Sequence, residues 1–547
     1  MFDALFTTTT EYKKLSHALS GKGACALFGL PASGRAQMYA ALCRQLDKPL
    51  CIVTPGEAEA TRFAADLNTL GIPAAVFPAR DYVLRSIEGT AREYEYRRLA
   101  VLGELVGGRL RAVAVPAEAL TQFTTPKEDF CANTRTLHAG DTLLRDDLLA
   151  ALFGAGYTRR AQVDGPGQFS VRGDIVDIFA PDQKMPVRME FWGDEIDTLH
   201  TFDLTTQRRE DAIDKFYLSP AREVLFGKPA DAAEQLRAFL AKQRGKKKTA
   251  MADCMAADLD LLDGGAVPVN MDKYLAVRYP HPATVLDYFD DPILVAEEPA
   301  SIREADRATA YRRGEELKSL ILDGVLCAGL DNLYADPSYL WSKTGHYRTI
   351  CAENFARSMP DQPLKDIINA PAHTLPAWNG EVAGLLEDLK PLCDAGYTVT
   401  LLAGTDRAAA GLARDLRDKG ILVTTDAAAA PAAGLVQVLA GHLSAGCEFP
   451  FAKYALLTGR AFGETSSQKK KRKKAKDALN SLTEITPGDL VVHQNHGIGR
   501  YAGIQRMAVQ GVTKDYLRIE YDKKDVLYVP VTQLDLLSRY TAPGDEE

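Results

Sequence analysis

"ALFGLPASGRAQMYAAL", residues 26–42, is the stretch on which the fold of the first part of the chain turns. A short apolar run meets two glycines five apart, Gly29 and Gly34, and a helical pattern follows. This is the outline of the phosphate-binding loop G-x-x-x-x-G-K-[ST]. In that motif the glycines admit backbone N–H groups to phosphate, the lysine reaches the β- and γ-phosphates, and the hydroxyl ligates Mg²⁺. Here Arg35 and Ala36 stand in the last two places. A guanidinium is a planar fork and no substitute for a compact ammonium, and alanine offers no metal ligand. The nearest Asp-Glu pair in this half, Asp194-Glu195, follows a glycine in an alternating stretch and reads as a hairpin turn. The expectation is therefore a degenerate loop at Gly29, Gly34, Arg35 and Ala36: a turn joining strand to helix, with no cofactor and no catalytic residue.

Working outward, residues 24–122 alternate apolar runs with amphipathic helical patterns: "ACALFGL", "SGRAQMYAALCRQL", "PLCIVTP", "EAEATRFAADLNTL", "AAVFP", "AREYEYRRLAVLGELV" and "LRAVAVP". Repeated βα units imply a parallel sheet covered on both faces. The character changes over 127–213, where "QFSVRGDIVDIFAP" and "PVRMEFWGDEIDTLHTFD" alternate with period two behind a helical stretch, indicating a small α+β domain. Residues 214–370 read as largely helical, with a basic loop at 244–249. A βα pattern returns over 371–460, a basic linker occupies 461–483, and 484–547 reads as a small β-barrel. The fold class expected is thus α/β multidomain, with the first domain split into 1–126 and 214–370 around the insertion.

The 547 residues are 46% hydrophobic and 25% charged, with formal net charge −8. That balance leaves no whole-chain basic footprint for nucleic acid. Nine scattered cysteines without a C-x-x-C pair indicate a reducing, cytoplasmic setting, with neither disulfides nor zinc. No run reaches about 18 apolar residues, so no membrane association is expected, and the N-terminus lacks the pattern of a secretory signal.

Two segments carry a family resemblance. V-R-G-D-x-x-D-I-F at 171–179, followed by E-F-x-G-D-E-I-D and T-Q-R, resembles the UvrB domain that docks on UvrA. H-x-x-H-G-I-G-R-Y at 493–501 and L-Y-V-P-V…L-x-L-L-S-R-Y at 527–540 resemble the RNA-polymerase-interacting, Tudor- or CarD-like domain of the bacterial transcription-repair coupling factors. Both in this order behind a decayed loop resemble the N-terminal part of that family. The resemblance implies a UvrB-like module without ATPase residues, and an adaptor that binds the RNA polymerase β subunit and recruits UvrA. It further implies that an ATP- and Mg²⁺-dependent superfamily-two translocase motor, acting on double-stranded DNA, belongs to the parent protein and is missing from this chain. The chain itself is then expected not to be an enzyme. Two competing readings are an active UvrB-type helicase, which needs a lysine at 35 and an acidic Mg²⁺ site, and a standalone CarD-like regulator, which leaves about 480 residues without a use.

Arg159, Arg172 and Phe179 are the UvrA-binding candidates by resemblance, since arginine and aromatic side chains are the usual interface anchors. Simple alternation separates Arg172 from Phe179 onto opposite faces, unless the turn at Gly173 changes the register. The competing reading has Arg172 ordering its own hairpin and Phe179 in the core. For the polymerase surface the candidates are Ile504, Arg506 and Met507 in "GIQRMAV", a strand edge or apolar patch. His493 and His496 are too few for a metal site. Seven basic residues among the eight from 469 to 476 read as a solvated linker, with nucleic-acid contact as the alternative.

Overall fold

The computed structural model describes residues 2–86, 92–355, 362–378, 381–459, 487–493, 497–509, 512–521, 526–530 and 537–539. Seven parallel strands form the first sheet, in the order 364–369, 23–28, 348–353, 293–297, 50–54, 112–116, 74–76. Its central strands are buried along nearly their whole length, as expected where helices cover both faces. Alternate residues feed two separate cores. Cys25 and Leu27 join one with the helices Ala32–Leu46 and Glu57–Thr69; Ala24, Ala26 and Phe28 join the other with Leu99 and Leu102 of the helix Glu93–Val106.

The βα reading of residues 24–122 is reproduced element by element. Residues 214–370 differ from the helical expectation, because they also supply the strands Ile293–Glu297, Arg348–Glu353 and Leu364–Asn369 to the middle and edge of this sheet. A strand buried on both faces has no alternation, so a run such as "ILVA" does not announce itself as strand.

The insertion folds as a six-stranded sheet, in the order 209–212, 195–202, 187–192, 175–179, 168–172, 158–159, antiparallel except at the last pair. The helix Arg145–Gly154 packs Leu148 and Leu152 onto one face. A two-stranded ladder between Arg135–His138 and Lys215–Leu218 closes the base of the insertion. A third, mixed sheet of six strands spans 373–458. It shares the first core through Leu402, Leu443, Cys447, Phe449 and Tyr454. Asp66 reinforces this junction by accepting both the backbone N–H of Ser444, at 2.7 Å, and its hydroxyl, at 2.6 Å. The last sheet has five antiparallel strands, in the order 526–530, 512–520, 497–509, 490–493, 537–539. Among the described residues no helix is long and apolar enough to cross a membrane.

A buried charge network ties the insertion's exit to the first domain. Arg98 is fully buried and holds Glu223 through Nε, at 2.6 Å, and Nη2, at 3.1 Å, while Nη1 meets Gln122 Oε1 at 3.0 Å. Arg80 pairs with Asp272 at 2.7 Å and with the same Glu223 at 3.1 Å. Glu95 accepts the N–H of Glu223 at 2.9 Å and pairs with Arg92 at 2.8 Å. Burial alone would raise the Glu95 carboxyl, but Arg80, Arg92 and Arg222 more than overcome it and pull it from 4.5 down to about 2. A carboxylate held below its ordinary value stabilises the fold above that value, and the contribution is lost as pH falls through the window from 4.5 to about 2. Glu95→Gln is therefore expected to cost about 3 kcal/mol at pH 7. The gap to wild type should close as the medium is acidified through that window, as followed by urea unfolding at stepped pH.

Candidate functional site

The loop that opens the sequence reading makes its turn at Gly29, whose φ of 89° suits glycine. A Cβ there would sit 3.0 Å from the carbonyl of Ala370. The helix begins at Ala32, so Gly34 lies in its first turn, and a Cβ on Gly34 would meet Cys447 Sγ at 2.9 Å and the Phe449 ring at 3.4 Å. The strand Gly446–Phe449 of the third sheet thus covers the start of this helix.

Arg35 is 4% exposed. Its Nη2 lies 2.9 Å from Glu297 Oε2 and 2.9 Å from Glu298 Oε1, and its Nη1 donates to the carbonyl of Leu30 at 3.1 Å. Tyr39 donates its hydroxyl to the other oxygen of Glu297 at 2.5 Å. Burial works against the charge on Arg35, and Glu297, Tyr39 and Glu298 outweigh it, so the guanidinium is held more firmly protonated. Burial pushes Glu297 up, while Arg35 and the Tyr39 hydroxyl pull it back. Burial wins, and the Glu297 carboxyl stands above its ordinary value. Ala36, beside it, is fully buried.

This corrects the sequence reading, which found no acidic strand end near the loop. Glu297 and Glu298 occupy that place, at the C-terminal end of Ile293–Glu297, which pairs with 348–353 next to the loop's own strand. The missed signal was four apolar residues ending on two glutamates before Pro299, which starts a helix. Asp194 and Glu195 do lie at a hairpin, between Val187–Trp192 and Glu195–Phe202.

In the insertion, the turn at Gly173, with φ 61°, shifts the register. Arg172 pairs with Ile175, Ser170 with Asp177 and Gln168 with Phe179. Partners across an antiparallel ladder share a face, so Arg172 and Phe179 lie on the same face. Simple alternation carried through the turn had separated them. Arg172, with its side chain 47% exposed, donates from Nη2 to Asp177 Oδ2 at 2.6 Å. Arg188, opposite Asp177 on the neighbouring strand, holds the same buried carboxylate through Nε at 2.7 Å and Nη2 at 2.9 Å. Phe179 is 6% exposed and packs with Val163 and Phe202.

Arg159 is exposed but pairs with Phe169, on the other face of the sheet from Arg172, whereas Thr158 pairs with Gln168. The N–H of Arg160 continues this ladder to the carbonyl of Phe169 at 2.8 Å. Alternation therefore turns exposed Arg160, rather than Arg159, toward the face of Arg172. Trp192, which the sequence reading did not single out, joins that face through the pairing of Glu190 with Ile175 and is 82% exposed at a hairpin end.

In the last sheet Ile504 is 45% exposed on the strand Gly497–Val509 and pairs with Leu517. Register sets Arg506 opposite Asp515 and Met507 opposite Lys514; their side chains lie outside the described residues. His493 is buried, with Nε2 3.9 Å from Glu93 Oε1 of the first domain. His496 and the basic tract at 469–476 lie outside the described residues. Among the described residues no group of three or more His, Cys, Asp or Glu could hold a metal.

The class that emerges is a mixed α/β chain of several sheets, consistent with UvrB-like and CarD-like domains. Residues 136–224 match the family described as UvrB interaction domain, and residues 485–541 match CarD-like/TRCF RID domain. The chain is similar to the transcription-repair-coupling factor of Bacillus subtilis strain 168, 28% identical over 536 residues covering 95% of this chain and 45% of that protein. It is likewise similar to that of Staphylococcus haemolyticus, 27% identical over 536 residues with the same coverage, and that of Staphylococcus aureus MRSA252, 25% identical over 532 residues. The resemblance to the N-terminal region of transcription-repair coupling factors therefore runs through the chain. The chain spans a little under half the length of these relatives.

The Arg35 cluster makes a stability prediction. Arg35→Ala leaves Glu297 buried without its cation and is expected to cost about 3–5 kcal/mol. Replacing the cluster together, with Arg35→Met, Glu297→Met and Tyr39→Phe, removes the buried ion pair and its hydroxyl donor at once, leaving only the Leu30 carbonyl and half-exposed Glu298 without the cation, and should recover much of that loss. Urea unfolding of the three proteins measures the difference.

Proposed function

We propose that this chain is an adaptor that holds RNA polymerase through its CarD-like domain and UvrA through the insertion, as part of a transcription-repair coupling factor. The observation that carries the reading is the order of the two interaction domains behind a nucleotide-loop fold whose charges are satisfied internally. The division into 1–126 with 214–370, 127–213, 371–460, 461–483 and 484–547 is kept as the working domain scheme, with the last segment as a small barrel. In the longer parent protein an ATP- and Mg²⁺-dependent motor on double-stranded DNA would supply movement.

On the insertion the proposed UvrA surface centres on Arg172, with Phe179 packed farther along the same face and Arg160 the better-placed second cation than Arg159. On the last sheet the proposed surface for the polymerase β subunit comprises Ile504, Arg506 and Met507. There the strand extends beyond its pairing with 490–493, which ends at Arg500. Full-length variants should separate the two activities. Arg172→Ala is expected to weaken capture of UvrA by about tenfold or more, within the range of an interface anchor, and to leave polymerase capture intact. Met507→Arg should do the reverse by forcing an unpaired charge into the contact. Pulldown and titration with each partner measure both, and unchanged UvrA affinity in the first variant would remove Arg172 from the surface.

The competing helicase reading is disfavoured by the same loop. The residues present do not fit a magnesium nucleotide: Arg35 is committed to Glu297 and Glu298, Ala36 supplies no ligand, and Cys447 and Phe449 back the helix start. No DNA-stimulated ATP turnover is expected from this chain. A phosphate-release assay that found robust turnover would overturn the adaptor reading of the first domain.

A further inference from the structure

Away from these surfaces, the helical part of the first domain carries two cysteines that the proposed function does not use. Cys254 lies on the helix Gly245–Asp263, and Cys327 follows the helix Pro299–Leu322. Both meet in one apolar cluster with Met251, Met255, Leu320 and Leu326. Cys327 is the neighbour that acts most strongly on the Cys254 thiol. As a thiol, Cys254 Sγ also donates to the carbonyl of Val325 at 3.0 Å, two residues before Cys327. The ammonium of Lys273 stands beside them, 3.2 Å from the Cys254 carbonyl and paired with Asp258.

We infer that Cys254 and Cys327 are a thiol-oxidation site that closes reversibly into a disulfide, with a low-molecular-weight disulfide of the glutathione type as oxidant. The Cys254 thiolate attacks one sulfur of the small disulfide, breaking its S–S bond and releasing one small thiolate, which takes up a proton. The Cys327 sulfur, losing its proton to solvent, then attacks Cys254 Sγ. The mixed bond breaks, the second small thiol leaves, and the protein disulfide remains. The protein is oxidised by two electrons, and the small disulfide is reduced to two thiols.

The chemistry at Cys254 favours the first step. A hydrogen bond from Cys327 lowers its thiol, burial opposes this, and Lys273 adds to the lowering, bringing it from 9.0 to about 7. The same contact and burial raise Cys327. Other thiols of the chain go the opposite way: burial lifts Cys25, Cys51 and Cys351 to about 12. A low thiol is the attacking one, and the neighbour that stabilises it is the resolving one. Cys254 is half-buried and Cys327 is 8% exposed. A bond between them would join residues far apart in sequence and restrict the unfolded chain.

The test equilibrates the full chain in buffers of stepped oxidised-to-reduced glutathione ratio, traps free thiols by alkylation and maps the digest by mass spectrometry. A 254–327 cross-linked peptide should grow with the ratio and vanish on return to reducing buffer. Its formation should be abolished in Cys254→Ser and in Cys327→Ser and unaffected in Cys131→Ser, the exposed control. Oxidised wild type should melt at higher temperature than reduced, with no such shift in Cys327→Ser. Alkylation of reduced wild-type Cys254, which needs no variant, should follow a pH midpoint near 7. Overturning results are Cys254 recovered only alkylated or glutathionylated across the whole range, or an alkylation midpoint at the ordinary thiol value.

Discussion

A guanidinium enclosed between the glutamates at the end of a central strand is the constraint around which the first domain is arranged. An ion taken out of water costs several kcal/mol, and only a well-placed partner offsets it. Arg35 meets Glu297 and Glu298, and Tyr39 completes Glu297. These contacts join the loop after the 23–28 strand to the end of the 293–297 strand, two positions away in the sheet. In open α/β sheets this crevice at the carboxyl ends of the strands is where ligands bind. Here the protein's own charges neutralise one another across it, and the third sheet closes over the helix start with Cys447 and Phe449. Opening the crevice to an anion would break the ion pair and the packing together.

The second charge cluster does a different job with the same physics. The insertion leaves the first domain after the 112–116 strand and returns near Glu223, so its orientation depends on how those two crossings are fixed. The ladder between Arg135–His138 and Lys215–Leu218 binds the crossings to each other. Arg98, Arg80 and Glu95 bind the returning chain at Glu223 to the body of the domain. Ionic contacts are directional where apolar packing is not, and three partners converging on one residue leave little freedom at the hinge of the insertion.

Much of this architecture is legible in the sequence, and the exceptions have a common cause. The switching of period between helix and strand marks every element from 24 to 116, and turn residues mark the hairpins of the insertion. What alternation cannot report is a strand buried on both faces. The run "ILVA" before Glu297 therefore went unread, and with it the acidic partner of Arg35. Nor can alternation be carried through a glycine turn. Gly173 takes a positive φ, two residues are spent in the turn, and Arg172 lands on the face of Phe179. The side-by-side position of Arg159 and Arg160 is the same problem at a strand edge, where one residue decides the face. Sequence pattern identified the domain and its cation-bearing strands, but register decides which cations can act together.

If the face that register assembles docks a partner as proposed, it has met part of the cost of binding in advance. Its opposite side is core, built from Phe169, Val176, Ile178 and Met189 under the helix Arg145–Gly154. On the open side Asp177 is buried and gripped by Arg188, so it cannot move to suit Arg172; Arg172 must come to it. A half-exposed arginine tethered at one nitrogen keeps its remaining donors directed outward, with fewer rotamers to lose when an acceptor arrives. Trp192, on the same face and 82% exposed, offers a large rigid surface with few torsions to freeze. Removing the Asp177 tether would leave the arginine's charge in place and take away its direction, so the surface depends on a carboxylate that no partner could touch.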